Sequence, residues 1–308
     1  MEVPAFDPFS NKPNITPSSR KLYIHNLTKL NGGKPLKDFK FLSKPDEVLA
    51  HLESLKPNTR RTYLISIISA LKDRPEAKYK KMYAKYYPSL ENLNKSLKDQ
   101  SVKSEKVKEN WIEQSAVKER LQDLERITAT IQDKKKITAD EYGELLKLVA
   151  LSLYSLQQPR RNKDYIDMMI VRRPTEDTTH NYLDITNWNW IFNNYKTKKT
   201  YQQVILPVPD SLKKILEIYL RHHPLVKEIK KKSCVVPFLV HHDGSPLKTS
   251  TDMTRLLNKI FGKKIGCSLL RSIFLTDKYG AIQEELKKDA DAMGTSTQTA
   301  ENIYIKKD

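Results

Sequence analysis

The sequence predicts a mainly α protein with a small antiparallel β-sheet, an α+β fold in two domains. Three observations predict it. Apolar residues recur at helical spacing through most of both halves. Four short β-branched and aromatic runs cluster between Met168 and Val208. A polar, charged stretch, Gln132-Asp-Lys-Lys-Lys136, precedes a fresh helix start and serves as the linker. The expected division is a flexible arm over residues 1–20, a helical domain over 21–131 and a second domain over 132–308.

The arm is expected because residues 1–20 hold four prolines with Asn and Ser. A first helix follows from Ser18, on Leu22, Ile24, Leu27 and Leu30, and Asn31-Gly-Gly33 ends it. Pro45-Asp-Glu-Val-Leu starts a second, with proline and acids in its first turn. Pro57-Asn-Thr-Arg-Arg-Thr-Tyr63 starts a third, with Thr59 as the expected cap and Tyr63, Ile67, Ile68 and Leu71 as its stripe. Residues 76–110 mix lysine with tyrosine, a pattern that suits a groove along a nucleic-acid backbone or a solvated helix with its tyrosines inward. Trp111 and Ile112 anchor a long helix with stripe Val117, Leu121, Leu124 and Ile127.

The second half opens on a capping box, Thr138 with Glu141 three residues on. The run Tyr142 to Leu153 is too apolar for a surface and reads as the central buried helix, stopping by Pro159. Strands are expected at Met168–Val171, Tyr182–Ile185, Trp190–Phe192 and Gln203–Val208, with Tyr195–Tyr201 as a hairpin tip between the last two. Residues 209–232 and 247–308 return to helix. His241-His242-Asp243-Gly-Ser reads as a turn rather than a metal site, and His222-His223 as a helix end.

Lysine and arginine exceed aspartate and glutamate by 55 to 37, a formal net charge of +18. That excess points to a polyanion, nucleic acid before an anionic membrane. No apolar run approaches the roughly 20 residues of a spanning helix, and the N-terminus lacks the pattern of a signal peptide. Two cysteines, Cys234 and Cys267, suit neither a disulfide framework nor a cysteine-rich zinc site. The expectation is an intracellular protein, not secreted and without a membrane partner. No Walker-type GK[ST] is present, which argues against a nucleotide-driven motor.

Four basic or nucleophilic positions stand out at element edges. Arg161 follows the buried helix, Lys196 sits in the hairpin tip, Arg271 interrupts the apolar run Leu269–Phe274, and Tyr304 lies near the end. An arginine on the inner edge of a helix with a tyrosine some thirty residues on suggests a phosphate clamp and a nucleophile. Arg60, Arg61, Arg160, Lys198 and Lys199 are candidate DNA contacts.

This order resembles the tyrosine recombinase (phage integrase) family. Arg161 with Asp164 three residues later matches the family's first arginine and acid. Lys196 matches its hairpin lysine, and Ser268-Leu-Leu-Arg271-Ser-Ile-Phe274-Leu-Thr276 keeps the arginine, phenylalanine and threonine of its second arginine segment. Gly294-Thr295-Ser296 keeps the spacing to Tyr304. The likeness covers about 180 residues and reaches loosely to Thr59-Arg-Arg-Thr-Tyr63. The Pro159-Arg-Arg-Asn-Lys-Asp-Tyr165 form and the Trp111 segment are most similar to integrases of large DNA viruses and their mobile elements. Two positions depart: where the family usually has histidine, or tryptophan at the second, Ser268 and Thr295 stand here, able to hydrogen-bond a phosphate but offering no imidazole. The four residues after Tyr304 leave little tail to dock on a neighbour.

The resemblance implies a helical core-binding domain followed by a tyrosine-recombinase catalytic domain. It implies site-specific cleavage and rejoining of DNA by a homotetramer on paired sites, with no cofactor and no metal, in the host nucleus or at a viral replication site. Tyr304 is then the nucleophile of a 3′-phosphotyrosine intermediate, Arg161 and Arg271 the clamp and Lys196 the general acid. A type IB topoisomerase, or a DNA-binding protein that keeps the fold without catalysis, remain the alternatives.

Overall fold

The computed structural model describes residues 6–97, 102–173 and 175–306. They form two compact units that divide between Lys103 and Ser104. The chain is mainly helical with one small mixed sheet, an α+β arrangement. No helix among the described residues is long and apolar enough to cross a membrane.

The first unit is a helical cluster: α1 (Pro17–Leu30), α2 (Pro45–Glu53), α3 (Pro57–Leu71) and α4 (Ala77–Ser96). Its core is Leu27, Leu42, Leu52, Leu64, Ile67 and Tyr86. The cap of α3 is Lys56 and not Thr59, because Pro57 already takes the first helical position. The expected flexible arm is packed from Phe6 onward. Phe9 is fully buried, Phe6 meets Phe39 edge-on at 5.1 Å, and the Arg74 guanidinium donates to the Pro8 carbonyl at 3.0 Å. Apolar residues among the prolines outweigh the composition there.

On α4 the inward reading holds for Tyr79 and Tyr86, both buried, with the Tyr86 hydroxyl donating to the Leu42 carbonyl at 3.0 Å. Tyr87 stays exposed and stacks on Tyr83 at 5.3 Å. Arg60 pairs with Glu53 at 3.5 Å, and Arg61 Nε donates to Asn94 Oδ1 at 2.6 Å.

The second unit begins well before the expected linker. After α5 (Glu105–Asn110), α6 (Gln114–Thr128) packs on α7 (Ala139–Ser155), and Val117, Leu121 and Leu124 are buried in the same core as α7. The boundary therefore falls at 103/104 and not at 131/132; a charged loop is a turn when both flanking helices share one core. Ile127 is half exposed, outside the stripe. The Thr138–Glu141 capping box forms as expected, and α7 is buried along its length.

Then come α8 (Asn162–Ile166), β1 (Met168–Val171), β2 (Asn181–Asp184), β3 (Asn189–Phe192), α9 (Lys198–Tyr201) and β4 (Val204–Pro207). The chain continues through α10 (Asp210–His222), α11 (Val226–Ile229), β5 (Val235–Pro237), α12 (Ser250–Phe261), α13 (Cys267–Ala292) and α14 (Thr297–Thr299), which runs into a π-type turn, Ala300–Tyr304. All four expected strands form, and the sheet order is β4-β3-β2-β1-β5. It is mixed and not antiparallel: β1 and β2 run parallel, with Met168 opposite Asn181, and the other pairs are antiparallel. Four-residue strands are only about 13 Å long, so a short link can bring the chain back. β5 was not expected, since Val235-Val-Pro237 is three residues with a proline that cannot donate.

His241–Ser245 is a turn, with Ser245 N–H donating to Asp243 and Gly244 at φ +83°. His222 and His223 end α10; His222 bonds the Ile131 carbonyl at 3.1 Å.

Candidate phosphate-binding site

A cavity of 310 Å³ lies where the loop after α7, the connection between β3 and β4, and the first turns of α13 meet. Arg160, Arg161, Asp164, Thr197, Tyr201 and Arg271 are on its wall. Two of the sequence-predicted arginines, 110 positions apart in the chain, are thus brought to one site.

Each arginine is held differently. Arg160 Nε donates to Asp164 Oδ2 at 2.9 Å, and its guanidinium lies 3.7 Å from the Phe192 ring centroid and 5.2 Å from that of Tyr195. It is a packed structural cation. Arg161 occupies the cap position of α8 with extended backbone. Arg271 rides on α13 above the buried Leu270 and Ile273. Neither the Arg161 nor the Arg271 guanidinium has a hydrogen-bond or ion-pair partner among the described residues, and both are partly buried. Two guanidiniums with their hydrogen-bond donors unused by the described residues can receive an anion on one wall.

Asp164 is the matching acid, but for Arg160. Its side chain is 4% exposed, and Oδ1 has no hydrogen-bond partner. Burial holds its carboxyl above the ordinary carboxylate range, against the pull of Arg160 and, through space, of Arg161 and Arg271.

Two buried asparagines that the sequence reading passed over fix this geometry. Asn162 accepts from Tyr154 Oη at 2.7 Å and donates to the Ser250 carbonyl and Thr254 Oγ1 at 2.8 and 3.0 Å. It ties the residue next to Arg161 to α7 and α12. Asn181, fully buried at the start of β2, donates to the Asp164 and Asn194 carbonyls. Its Oδ1 accepts from the Asn193 and Asn194 N–H groups at 2.8 and 2.7 Å. One side chain thereby clamps α8 to the root of the β3–β4 connection. The available signal was an asparagine opening an apolar strand, a position where asparagine is depleted.

The connection itself is a hairpin tip as expected, with the single turn α9 inside it. Lys196 is exposed, between Tyr195 and Thr197, which both reach the cavity wall while Lys196 does not. The Tyr195 hydroxyl donates to the Gln202 carbonyl at 2.8 Å and pins the loop. Lys198 and Lys199 are exposed on α9.

Tyr304 does not join the cavity. It is 57% exposed at the end of the π-type turn. The physical cause is α13, which continues as one helix for 26 residues. The chain reverses at Gly294, φ +70°, and Ala300 is buried as Ala290 is, with Glu301 bonding Gln283 at 3.5 Å. Gln283 is twelve residues beyond Arg271, about 18 Å along the helix axis. Ser268 is exposed on the first turn of α13, and Thr295 donates its N–H to the Ala290 carbonyl; neither lines the cavity. No family model, no curated protein and no solved structure matches the chain significantly.

Proposed function

We propose that the protein cleaves and rejoins DNA in the manner of a tyrosine recombinase. The observation that carries the reading is the convergence of Arg161 and Arg271, both without a hydrogen bond or close ion pair among the described residues, on one small cavity beside a lysine-rich hairpin tip. A backbone phosphodiester suits that wall. Its two non-bridging oxygens gain charge as the phosphorus becomes five-coordinate, and two planar guanidiniums stabilise that charge where it develops.

In this reading Tyr304 gives its phenol proton to water as its Oη bonds to phosphorus and the bond to the 5′-oxygen breaks, leaving a 3′-phosphotyrosine. Lys196 gives a proton to the departing 5′-oxygen. Attack by a 5′-hydroxyl reverses the step, so the phosphodiester energy is conserved. The segment from Gly294 to Tyr304 carries the phenol to the phosphate when DNA is bound, and Lys196 swings in from the hairpin tip. An exposed apolar line on α13, Leu275, Tyr279 and Ile282, favours assembly between copies on paired sites.

The position of Tyr304 outside the cavity favours a second reading, a DNA-binding protein of this fold without catalysis. A nicked suicide duplex carrying the cognate site separates the two. A denaturation-resistant adduct that is lost in Tyr304→Phe supports cleavage. Salt-sensitive binding with no adduct supports the second reading. Supercoil relaxation without any need for paired sites would instead indicate topoisomerase-like action.

A further inference from the structure

A second cavity, of 740 Å³, opens at the opposite end of the strands from the arginine wall. It lies between the β2–β3 turn, α10 and α11. Its floor is apolar, made by Ile185 and Trp188 of the turn, Ile218 of α10, and Val226 and Ile229. Its rim is cationic, with Arg172, Lys214, Arg221 and Lys230 set against one acid, Glu217.

The rim is not neutralised from within. Lys214, Arg221 and Lys230 are exposed and make no ion pair among the described residues. Arg172 is held by its Nε, which donates to the Ile229 carbonyl at 2.6 Å, and that bond fixes its place beside the floor.

Trp188 is the unusual member. Its φ of +53° lies in the left-handed region, which a bulky residue rarely adopts. The turn enforces it. The Asp184 carboxylate accepts from the Thr186 and Asn187 N–H groups, and the Trp188 carbonyl accepts from Val208 N–H at 2.8 Å. Lys213 Nζ lies 5.2 Å from the indole centroid. An over-determined, strained aromatic on a cavity wall is a feature that collects at binding sites.

We infer that this trough binds an acidic peptide segment of a partner protein, seating one branched or aromatic side chain against Trp188 while its carboxylates meet the cationic rim. The exposed rim leaves the cavity open to solvent, which suits a peptide segment better than an enclosed small molecule. A phosphodiester backbone would pair with the rim but leave the apolar floor unfilled. The inference does not depend on strand cleavage.

The test uses the full chain and a fluorescein-labelled twelve-residue peptide of alternating aspartate and glutamate with one central leucine, followed by anisotropy. Expected are micromolar binding at physiological salt, and a loss of roughly tenfold or more in the Arg221→Glu/Lys230→Glu double variant. A similar loss is expected when the central leucine becomes serine. The double variant should keep the parent's melting temperature and its duplex binding, which separates this site from the arginine cavity. The inference is overturned if the peptide does not bind into the millimolar range, or if the double variant binds it unchanged. It is also overturned if the serine peptide binds equally well, or if a short duplex displaces the peptide stoichiometrically, since either means charge alone is read.

Discussion

Arg160 Nε donates to Asp164 Oδ2 at 2.9 Å, four residues on, so the hydrogen bonding of this acid goes to Arg160 and the Arg161 guanidinium makes no hydrogen bond among the described residues. The two adjacent arginines have opposite jobs. Arg160→Ala strands a buried carboxylate and uncovers Phe192 and Tyr195. It is expected to cost about 3 kcal/mol, read as a lowered urea midpoint.

Arg161→Ala and Arg271→Ala are expected to leave the melting temperature within a few degrees, because neither guanidinium has a protein partner. Each should lower suicide-duplex cleavage by about 10²- to 10³-fold, the usual cost of removing one oxyanion donor. A large drop in melting temperature for either would place it with Arg160 as a structural cation.

Asn181→Leu removes four hydrogen bonds at a fully buried point and strands two backbone N–H groups, at about 1–3 kcal/mol each. Beyond lower stability, hydrogen exchange over residues 193–203 should quicken more than in β1. Equal changes in both would mean that Asn181 does not specifically anchor the connection.

His223 is buried at the end of α10, and burial lowers its pKa to about 4. Its Nδ1 accepts from Leu225 N–H at 3.1 Å, which requires an unprotonated nitrogen. The folded value lies below the unfolded one, near 6.5. The stabilisation is therefore present above pH 6.5 and is lost as pH falls through 4, a difference of order 3 kcal/mol. Unfolding titrations from pH 7 to 4 should show this loss, and His223→Gln should flatten it.

The helices and strands were legible because their periodicities are strong: Tyr142–Leu153 could only be a buried helix, and the Thr138–Glu141 box forms as written. The parallel pairing of β1 and β2 was not legible, since strand direction depends on a link whose path no local pattern encodes. At the site, the order of Arg161 and Arg271 along the chain anticipated their meeting. The offset of three residues between Arg161 and Asp164 did not anticipate the pairing, because Arg161 is the extended cap of α8 and Arg160, before the helix, is the residue whose side chain reaches Asp164. Nor did spacing to Tyr304 foretell a 26-residue α13 that holds the phenol away from the wall. Chain distance fixes only how far a segment can reach.

The junction between Lys103 and Ser104 also decides where the chain can be cut. A fragment starting at residue 132 would lose α6 and with it Val117, Leu121 and Leu124, uncovering the α7 surface they cover. At about 1.5–3 kcal/mol for each large buried aliphatic, that loss rivals the whole stability of an ordinary domain. Limited proteolysis of the intact protein should therefore yield a lasting fragment that begins near 104, and recombinant protein beginning at 132 should be recovered as aggregate.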